Sequence, residues 1–362
     1  MSLPETMTAV LLTGLGGPEK LELRHDVPVP QPGPGEVLIR VGAAGVNNTD
    51  INTRIGWYAK GVTGATDPSA ATIGGQEEGT WRREGMQFPR IQGADIAGTI
   101  VATGEGVDPG RVGERVMVDP CPRPEGGDLS LLAYRGSECD GGFAQFCKAP
   151  SADAHKMTVD MTEAELASFP CSYSTAENLL TRAKCGPGDT VLVTGASGGV
   201  GSAAVQLARR RGATVIAQCG AAKAETVKAL GAERVIDRGD NPADVLGAES
   251  VDLVIDLVGG PAWPVLLDVL RRGGRYATSG AIAGPIVELD LRTLYLKDLT
   301  LMGCTALDEG VFAALVGHIN RGEVKPLVAA TYPLAEISRA QEDFAKKSHV
   351  GKLVLVPPEI AG

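Results

Sequence analysis

The clearest chemistry in the chain is the run Thr190-Val191-Leu192-Val193-Thr194-Gly195-Ala196-Ser197-Gly198-Gly199-Val200-Gly201. A short apolar stretch enters a glycine-rich turn, and an amphipathic stretch leaves it. Ala196-x-Gly198-x-x-Gly201 is a phosphate-binding fingerprint with alanine in place of its first glycine. Glycines at these positions let the backbone approach a pyrophosphate. A helix opening near Val200 then offers free N–H groups and the positive end of its dipole. Ala196, Ser197, Gly198, Gly199, Val200 and Gly201 are therefore expected to hold a dinucleotide. Cofactor choice is read about 20 residues further on, where NAD binders place an acid on the ribose 2′-hydroxyl. Here the stretch is Ala217-Gln218-Cys219-Gly220, with no Asp or Glu. Lys223 follows and can offer a countercharge, although it equally suits a solvated helix face. The pattern points to NADPH, with Gly220 and Lys223 near its 2′-phosphate.

Metal chemistry finds no comparable signal. The cysteines are Cys121, Cys139, Cys147, Cys171, Cys185, Cys219 and Cys304, irregularly spaced and with no C-x-x-C pair. Buried free thiols are the expectation. His25, His155, His318 and His349 are scattered without ligand spacing.

The elements that must position the phosphate turn follow from periodicity. From about 170 to 300, short apolar runs (190–194, 214–217, 235–236, 251–258, 275–279, 299–303) alternate with helical stretches (200–211, 221–230, 261–272). Continuous apolar strands between amphipathic helices imply a parallel sheet covered on both faces. Before about 165 the chain is rich in Gly and Pro, with short β-like runs at 37–41, 98–102, 115–118 and 143–148, as in an irregular barrel or sandwich. After 304, helices are expected at 308–321, with Asp308 as N-cap, and at 334–347. A closing strand at 352–356 follows, and this tail should pack back on the first unit.

Composition narrows the function classes. The chain has 362 residues, 43% hydrophobic and 22% charged, enough for two globular cores. A net charge of −10 argues against nucleic acid and anionic membranes as partners. Apolar stretches are broken well before the roughly 20 residues of a membrane span. No signal peptide is evident, so the expected setting is the cytoplasm.

Several further motifs stand in a specific order: Gly45-Val46-Asn47-Asn48-Thr49-Asp50, Gly93-Ala94-Asp95-Ile96-Ala97-Gly98, Gly113-Glu114-Arg115-Val116, Gly141-Gly142-Phe143-Ala144, the phosphate turn, and Gly351-Lys352-Leu353-Val354-Leu355. Over nearly its whole length the chain resembles the medium-chain dehydrogenase/reductase superfamily, and within it the zinc-free quinone oxidoreductase-like branch. The resemblance implies an α/β protein with a GroES-like β-barrel catalytic domain (1–170 and 305–362). A Rossmann doubly wound parallel-sheet domain (171–304) would bind NADPH, with a cleft between the two. It also implies that Asn47, Ala94 and Cys171 stand where zinc-dependent members hold their catalytic metal. Only one thiol remains of that set, and the segment 121–147 lacks the close cysteines of the structural-zinc lobe, so no metal is expected.

By the same resemblance, Asn47 and Asp50 hold catalytic positions, Asn47 toward substrate or nicotinamide and Asp50 toward the loop or a water. Both residue types equally suit turns. Tyr58 aligns with a proposed proton donor, or is a packing aromatic. Thr175 should lie near the nicotinamide, Val258, Gly259, Gly280 and Ala281 should line the cofactor groove, and Lys352 should reach the phosphates. The leading reading is hydride transfer from NADPH to a quinone or an α,β-unsaturated carbonyl, a small electrophilic substrate. The alternatives are a zinc-free carbonyl or alcohol oxidoreductase and a non-catalytic NADPH-binding protein. A homodimer is expected through the apolar last strand near 299–303, which otherwise leaves an open edge. The polar segment 60–88, with Gly61, Gly64, Gly74, Gly75 and Gly79 as possible hinges and Trp81 as a possible plug, reads as a substrate lid or a surface insertion.

Overall fold

In the computed structural model, residues 3–66, 85–122 and 124–360 are described. The first unit is built from short strands: β1 (Thr6–Leu12), β2 (Leu21–Pro28), β3 (Glu36–Gly45), β4 (Arg90–Ile91), β5 (Asp95–Thr103), β6 (Arg115–Val118), β7 (Phe146–Pro150) and β8 (Ala154–Lys156). β3 is the hub. It pairs antiparallel with β5 along most of its length and with β7 over residues 36–40. Paired on both edges, β3 buries Val37, Leu38 and Ile39 in a core shared with Val10, Ile100 and Phe146. Helix α1 (Asn48–Ile55) leaves the end of β3, and Gly56 in the left-handed conformation stops it.

After α2 (Glu163–Leu166), α3 (Pro170–Arg182) carries the chain into the second unit. There a parallel sheet is assembled from β9 (Thr190–Val193), β10 (Thr214–Cys219), β11 (Arg234–Asp237), β12 (Val251–Asp256), β13 (Leu270–Thr278) and β14 (Thr300–Gly303). Their order is β11-β10-β9-β12-β13-β14. The order reverses beside β9, and that is the switch point where α/β sheets bind ligands. Helix α4 (Gly199–Arg210) follows β9, α5 (Ala224–Ala229) follows β10, α6 (Pro242–Leu246) follows β11, α7 (Trp263–Val269) follows β12 and α8 (Leu291–Leu296) follows β13. Leu192 and Val254 pack on one face of the sheet, Val191, Val193 and Ile255 on the other, so every β9 side chain after Thr190 is buried.

The tail splits between the two units. Helix α9 (Val311–Asn320) joins α3 and α4 in the second unit's core through Phe312, Leu315 and Ile319. β15 (Val328–Pro333) and β16 (Lys352–Val356), flanking α10 (Ile337–Ala345), return to the first unit, where β16 pairs with β3. Residues 328–356 thus pack on the first unit, while α9 packs in the core of the second.

Several boundaries differ from the sequence expectation, two of them for a clear physical reason. α9 begins at Val311 behind Gly310, not behind Asp308, because the chain turns through a left-handed glycine there (φ 78°). The helix expected over 261–272 stops at Val269, since Leu270 already pairs with Val251 in the sheet. Gly273 therefore bends a strand (φ 70°) instead of closing a helix.

Candidate functional site

The phosphate turn sits at the carboxyl end of β9, where Gly195 (φ 59°) and the Gly198 N–H bonding back to Gly195 O at 3.0 Å make it tight. A Cβ on Gly201 would stand 2.3 Å from Gly195 O, so this position requires glycine for packing. Ala196 is fully buried under the turn, and Ser197 through Val200 are the residues that open to the cleft. No side chain caps the start of α4, which leaves its first amides for an anion. The opposite wall is set by the buried carboxylate of Asp256. It accepts from Thr194 Oγ1 and Tyr276 Oη, both at 2.6 Å, and from the backbone N–H groups of Val258 and Gly259. Ala283 N–H bonds to Val258 O at 2.8 Å, and a Cβ on Gly259 (φ 61°) would stand 3.2 Å from that of Ala281. The expected groove residues Val258, Gly259, Gly280 and Ala281 are thus brought together, and Thr175 is partly exposed on α3.

Basic groups gather at the corner after β10. Lys223 donates to the carbonyl oxygen of Lys347, and burial followed by the Arg238 charge holds its ammonium below the usual lysine range. Arg238 lies over Gly220, its Cδ 3.9 Å from where a Cβ would be. Lys347 donates to Asn48 Oδ1 at 2.9 Å. Desolvation and then the nearby Lys347, Lys223 and Lys352 push His349 down to about 4. An acid does stand beside this corner: Asp237, the β11 partner of Cys219. Its oxygens accept from Ala221 N–H and Gly239 N–H, both at 2.9 Å, which commits it to shaping the turn. Arg238 and Asp237 escaped the sequence reading because β11 meets β10 only through the sheet order, and Lys347 because it lies 124 residues from the Lys223 it touches.

Across the cleft, the first unit supplies a buried polar cluster. Asp50 accepts from the Asn47 backbone N–H at 2.7 Å, bracing the start of α1. Burial chiefly, offset by the Asn47 N–H and Lys352, raises the Asp50 carboxyl to about 7. The Asn47 side chain donates to Asp95 Oδ2 at 2.9 Å and accepts from Lys352 Nζ at 2.5 Å, so both ends of its amide are engaged. Tyr58 is partly buried, bonds to the Thr49 and Asn52 side chains, and lies near Cys171 and Asp50. Desolvation raises its phenol above the ordinary value. Asn47, Asp50 and Tyr58 are therefore neighbours.

Lys352 is a correction. Its stem passes Gly199, with Cδ 3.3 Å from where a Cβ there would be, but its ammonium points into the first unit and pairs with Asp95 at 2.5 Å. The buried carboxylate draws it away from the phosphate turn. Asp95, Ser172 and Tyr134 also belong to the site and were missed. Asp95 lay in a quoted motif, but its partners are separated from it by tens to hundreds of residues.

These residues do not fit a catalytic zinc. Ala94 offers only a methyl group, and the Asn47 amide is spent on Asp95 and Lys352. The Cys171 thiol lies 2.8 Å from Tyr134 Oη, and burial, then Asp95, pushes it up to about 12. Cys121, Leu132, Tyr134 and Ala306 close in around Ala94 and Cys171 as an apolar cluster. Among the described residues, no group of three His, Cys, Asp or Glu side chains is arranged to hold a metal.

The segment after Tyr58 spans the cleft. Trp57 Nε1 donates to Gly64 O at 3.2 Å, and Thr66 N–H donates to Ile282 O at 3.1 Å, next to the groove residue Ala281. Gly61 and Gly64 lie on this described stretch, whereas Gly74, Gly75, Gly79 and Trp81 fall outside the described residues.

Comparison with known proteins places this geometry. Residues 33–159 match the alcohol dehydrogenase GroES-like domain family, and residues 199–321 match the zinc-binding dehydrogenase family. The quinone oxidoreductase of Lama guanicoe is 30% identical, the match covering 97% of each chain. The acryloyl-coenzyme A reductase of Metallosphaera sedula is 29% identical, over 91% of this chain and 95% of that one. Among solved structures, a putative alcohol dehydrogenase from Sinorhizobium meliloti 1021 is 50% identical and superposes with a TM-score of 0.89, covering 98% of both chains.

Proposed function

The chain belongs to the medium-chain dehydrogenase/reductase superfamily of oxidoreductases, in its quinone oxidoreductase-like branch, and from that premise we propose that it uses NADPH to reduce a small electron-poor acceptor without a metal. The acceptor is a quinone or the β-carbon of an α,β-unsaturated carbonyl. The observation that carries this reading is the basic corner of Lys223, Arg238 and Lys347 at Gly220, facing a glycine turn whose helix end is open to phosphate.

Reduced nicotinamide, once bound, would supply the hydride. The rest falls to side chains of this chain. Ser197 to Val200 and the α4 amides would hold the pyrophosphate, while Val258, Gly259, Gly280 and Ala281 would shape the groove. Tyr58 Oη holds a proton for the α-carbon of an enone after hydride reaches the β-carbon. A quinone takes its proton from water. The stretch from Trp57 to Thr66, tied to Ile282, walls the acceptor from solvent. The quinone and acryloyl-coenzyme A reductases among the relatives fit the two acceptor classes.

The working form is a homodimer. β14 is an edge strand, and beside it Ile286, Leu291, Tyr295 and Leu296 are 59–65% exposed. Such an edge with adjacent apolar side chains calls for a partner. No described helix is long and apolar enough to cross a membrane, and acidity with unpaired cysteines agrees with a cytoplasmic setting.

The test is NADPH and NADH oxidation against a panel of quinones, enones and enoyl thioesters, with products identified. NADPH-dependent turnover of a quinone or enone supports the reading. Reduction of simple ketones to alcohols alone would replace it with carbonyl reduction, and cofactor binding without turnover would leave a binding protein.

A further inference from the structure

We propose that the Lys352 ammonium is the organising cation of this active site, fixing Asp95 and with it Asn47, one of the positions where the family resemblance puts a metal ligand, and is not a ligand of the cofactor phosphates. The proposal rests on the hydride-transfer reading above and assigns a positioning residue to it.

Lys352 is 3% exposed and Asp95 is fully buried, so each charge depends on the other. Lys352 Nζ lies 2.5 Å from Asp95 Oδ2 and 2.5 Å from Asn47 Oδ1, and Asn47 Nδ2 donates to the same Asp95 oxygen at 2.9 Å. Ammonium, amide and carboxylate thus close a triangle in which each pair is bonded. The other Asp95 oxygen accepts the Cys171 backbone N–H at 2.5 Å, which ties the triangle to the start of α3. The space is built for it: a Cβ on Gly45 would stand 2.6 Å from Asp95 Oδ2. The other ionisable groups facing Asp95 are Asp50, Cys171 and Tyr134, none of them cationic. Were Lys352 to swing to a phosphate, Asp95 would be left buried and unpaired, a strongly unfavourable state.

An ammonium has three donors. Two are locked in the triangle, and the third faces Ser172 Oγ at a long 3.4 Å. That leaves a fixed positive centre at the cleft floor with one weakly committed N–H. Such a centre holds Asn47 in one orientation and favours negative charge developing on the acceptor. It also repels a divalent ion, which matches the loss of metal donors at Ala94 and Asn47.

The experiment compares Lys352→Met with the double variant Asp95→Asn/Lys352→Met, which removes both buried charges. NADPH dissociation constants come from fluorescence titration, and kcat is taken at saturating NADPH with a quinone and an enone. The expected result is a dissociation constant within about threefold of wild type and a kcat down by about 100-fold or more in both variants. The double variant should regain the thermal stability that Lys352→Met loses, and it decides the matter alone if the single variant does not fold. Recovery of kcat to within about threefold in the double variant reduces the pair to structure and overturns the proposal. So does a tenfold or greater loss of NADPH affinity with kcat intact, since that marks a phosphate ligand.

Wild-type protein inactive on every acceptor would refute the functional reading instead. The Lys352 assignment is then judged by Co(II) binding to Asn47→Cys/Ala94→His, with and without Lys352→Met. Visible thiolate–cobalt bands should appear only when Lys352 is removed, and equal affinity in both backgrounds overturns the assignment.

Discussion

Removing Arg238 isolates the basic corner. Its Cδ lies 3.9 Å from the Cβ position of Gly220, so its guanidinium can reach a 2′-phosphate placed over that glycine. A charge-assisted hydrogen bond contributes about 1.5–3 kcal/mol. Arg238 is exposed, and solvent screening reduces this to about 1–1.5 kcal/mol. Arg238→Ala should therefore weaken NADPH by about 5- to 12-fold. Lys223 already donates to the Lys347 carbonyl and would hold phosphate alongside it, so Lys223→Met should cost a similar factor. The two cations repel each other, as the lowered Lys223 value shows. Loss of one eases the other and masks part of each single loss, so the double variant should at least reach the product of the two, about 25- to 150-fold. NADH, with a hydroxyl in place of the phosphate, should bind all four proteins alike. The assay is titration of both cofactors at two ionic strengths, with the NADPH advantage shrinking at the higher one. Equal affinity of wild type for NADPH and NADH, or equal weakening of both by Arg238→Ala, would refute the reasoning.

Three further outcomes are expected. Tyr58→Phe should lower kcat for enone reduction by about tenfold or more while leaving quinone reduction within about threefold, because only the enone needs a proton delivered to carbon; equal losses on both substrates would assign Tyr58 to packing. Asp50, raised from 3.8 to about 7, binds its proton more tightly folded than unfolded, so its contribution is fully present below about pH 4 and is lost as pH rises through about 7. The melting temperature of Asp50→Asn should accordingly gain on that of wild type from pH 5 to pH 8, and a pH-independent difference would count against the raised value. Leu291→Glu/Tyr295→Glu should convert a dimer to monomers on sedimentation with little loss of monomer stability, since both side chains are more than 60% exposed; unchanged mass, or a wild-type monomer, would exclude this interface.

The fold was legible where local pattern and tertiary role coincide. The run 190–201 is a β9 strand, a tight turn and an α4 start because continuous apolar residues, glycines and an amphipathic stretch follow one another. The strands 115–118 and 352–356 fall where short apolar β-like runs put them. The pattern misled where a neighbouring strand captured the backbone, as at Leu270, or where a glycine conformation moved a cap, as at Gly310. The same division runs through the site. Asn47, Asp50 and Tyr58 lie within one short stretch, so helix α1 and the turn that follows it bring them together.

What the sequence determined by itself is the chemistry that one turn can hold: the phosphate-binding glycines, the missing acid after β10, and the depleted metal donors. What only the tertiary structure decided is where the long side chains point. Lys352 sits beside the phosphate turn and could in principle serve either side of the cleft. It faces Asp95 because a fully buried carboxylate needs a cation, and β16 returning beside β3 brings that cation within 2.5 Å. Arg238 joins Gly220 because β11 lies next to β10, a neighbour relation set by the sheet order. Charges choose partners by distance in space, and that distance is fixed only once the sheets have formed.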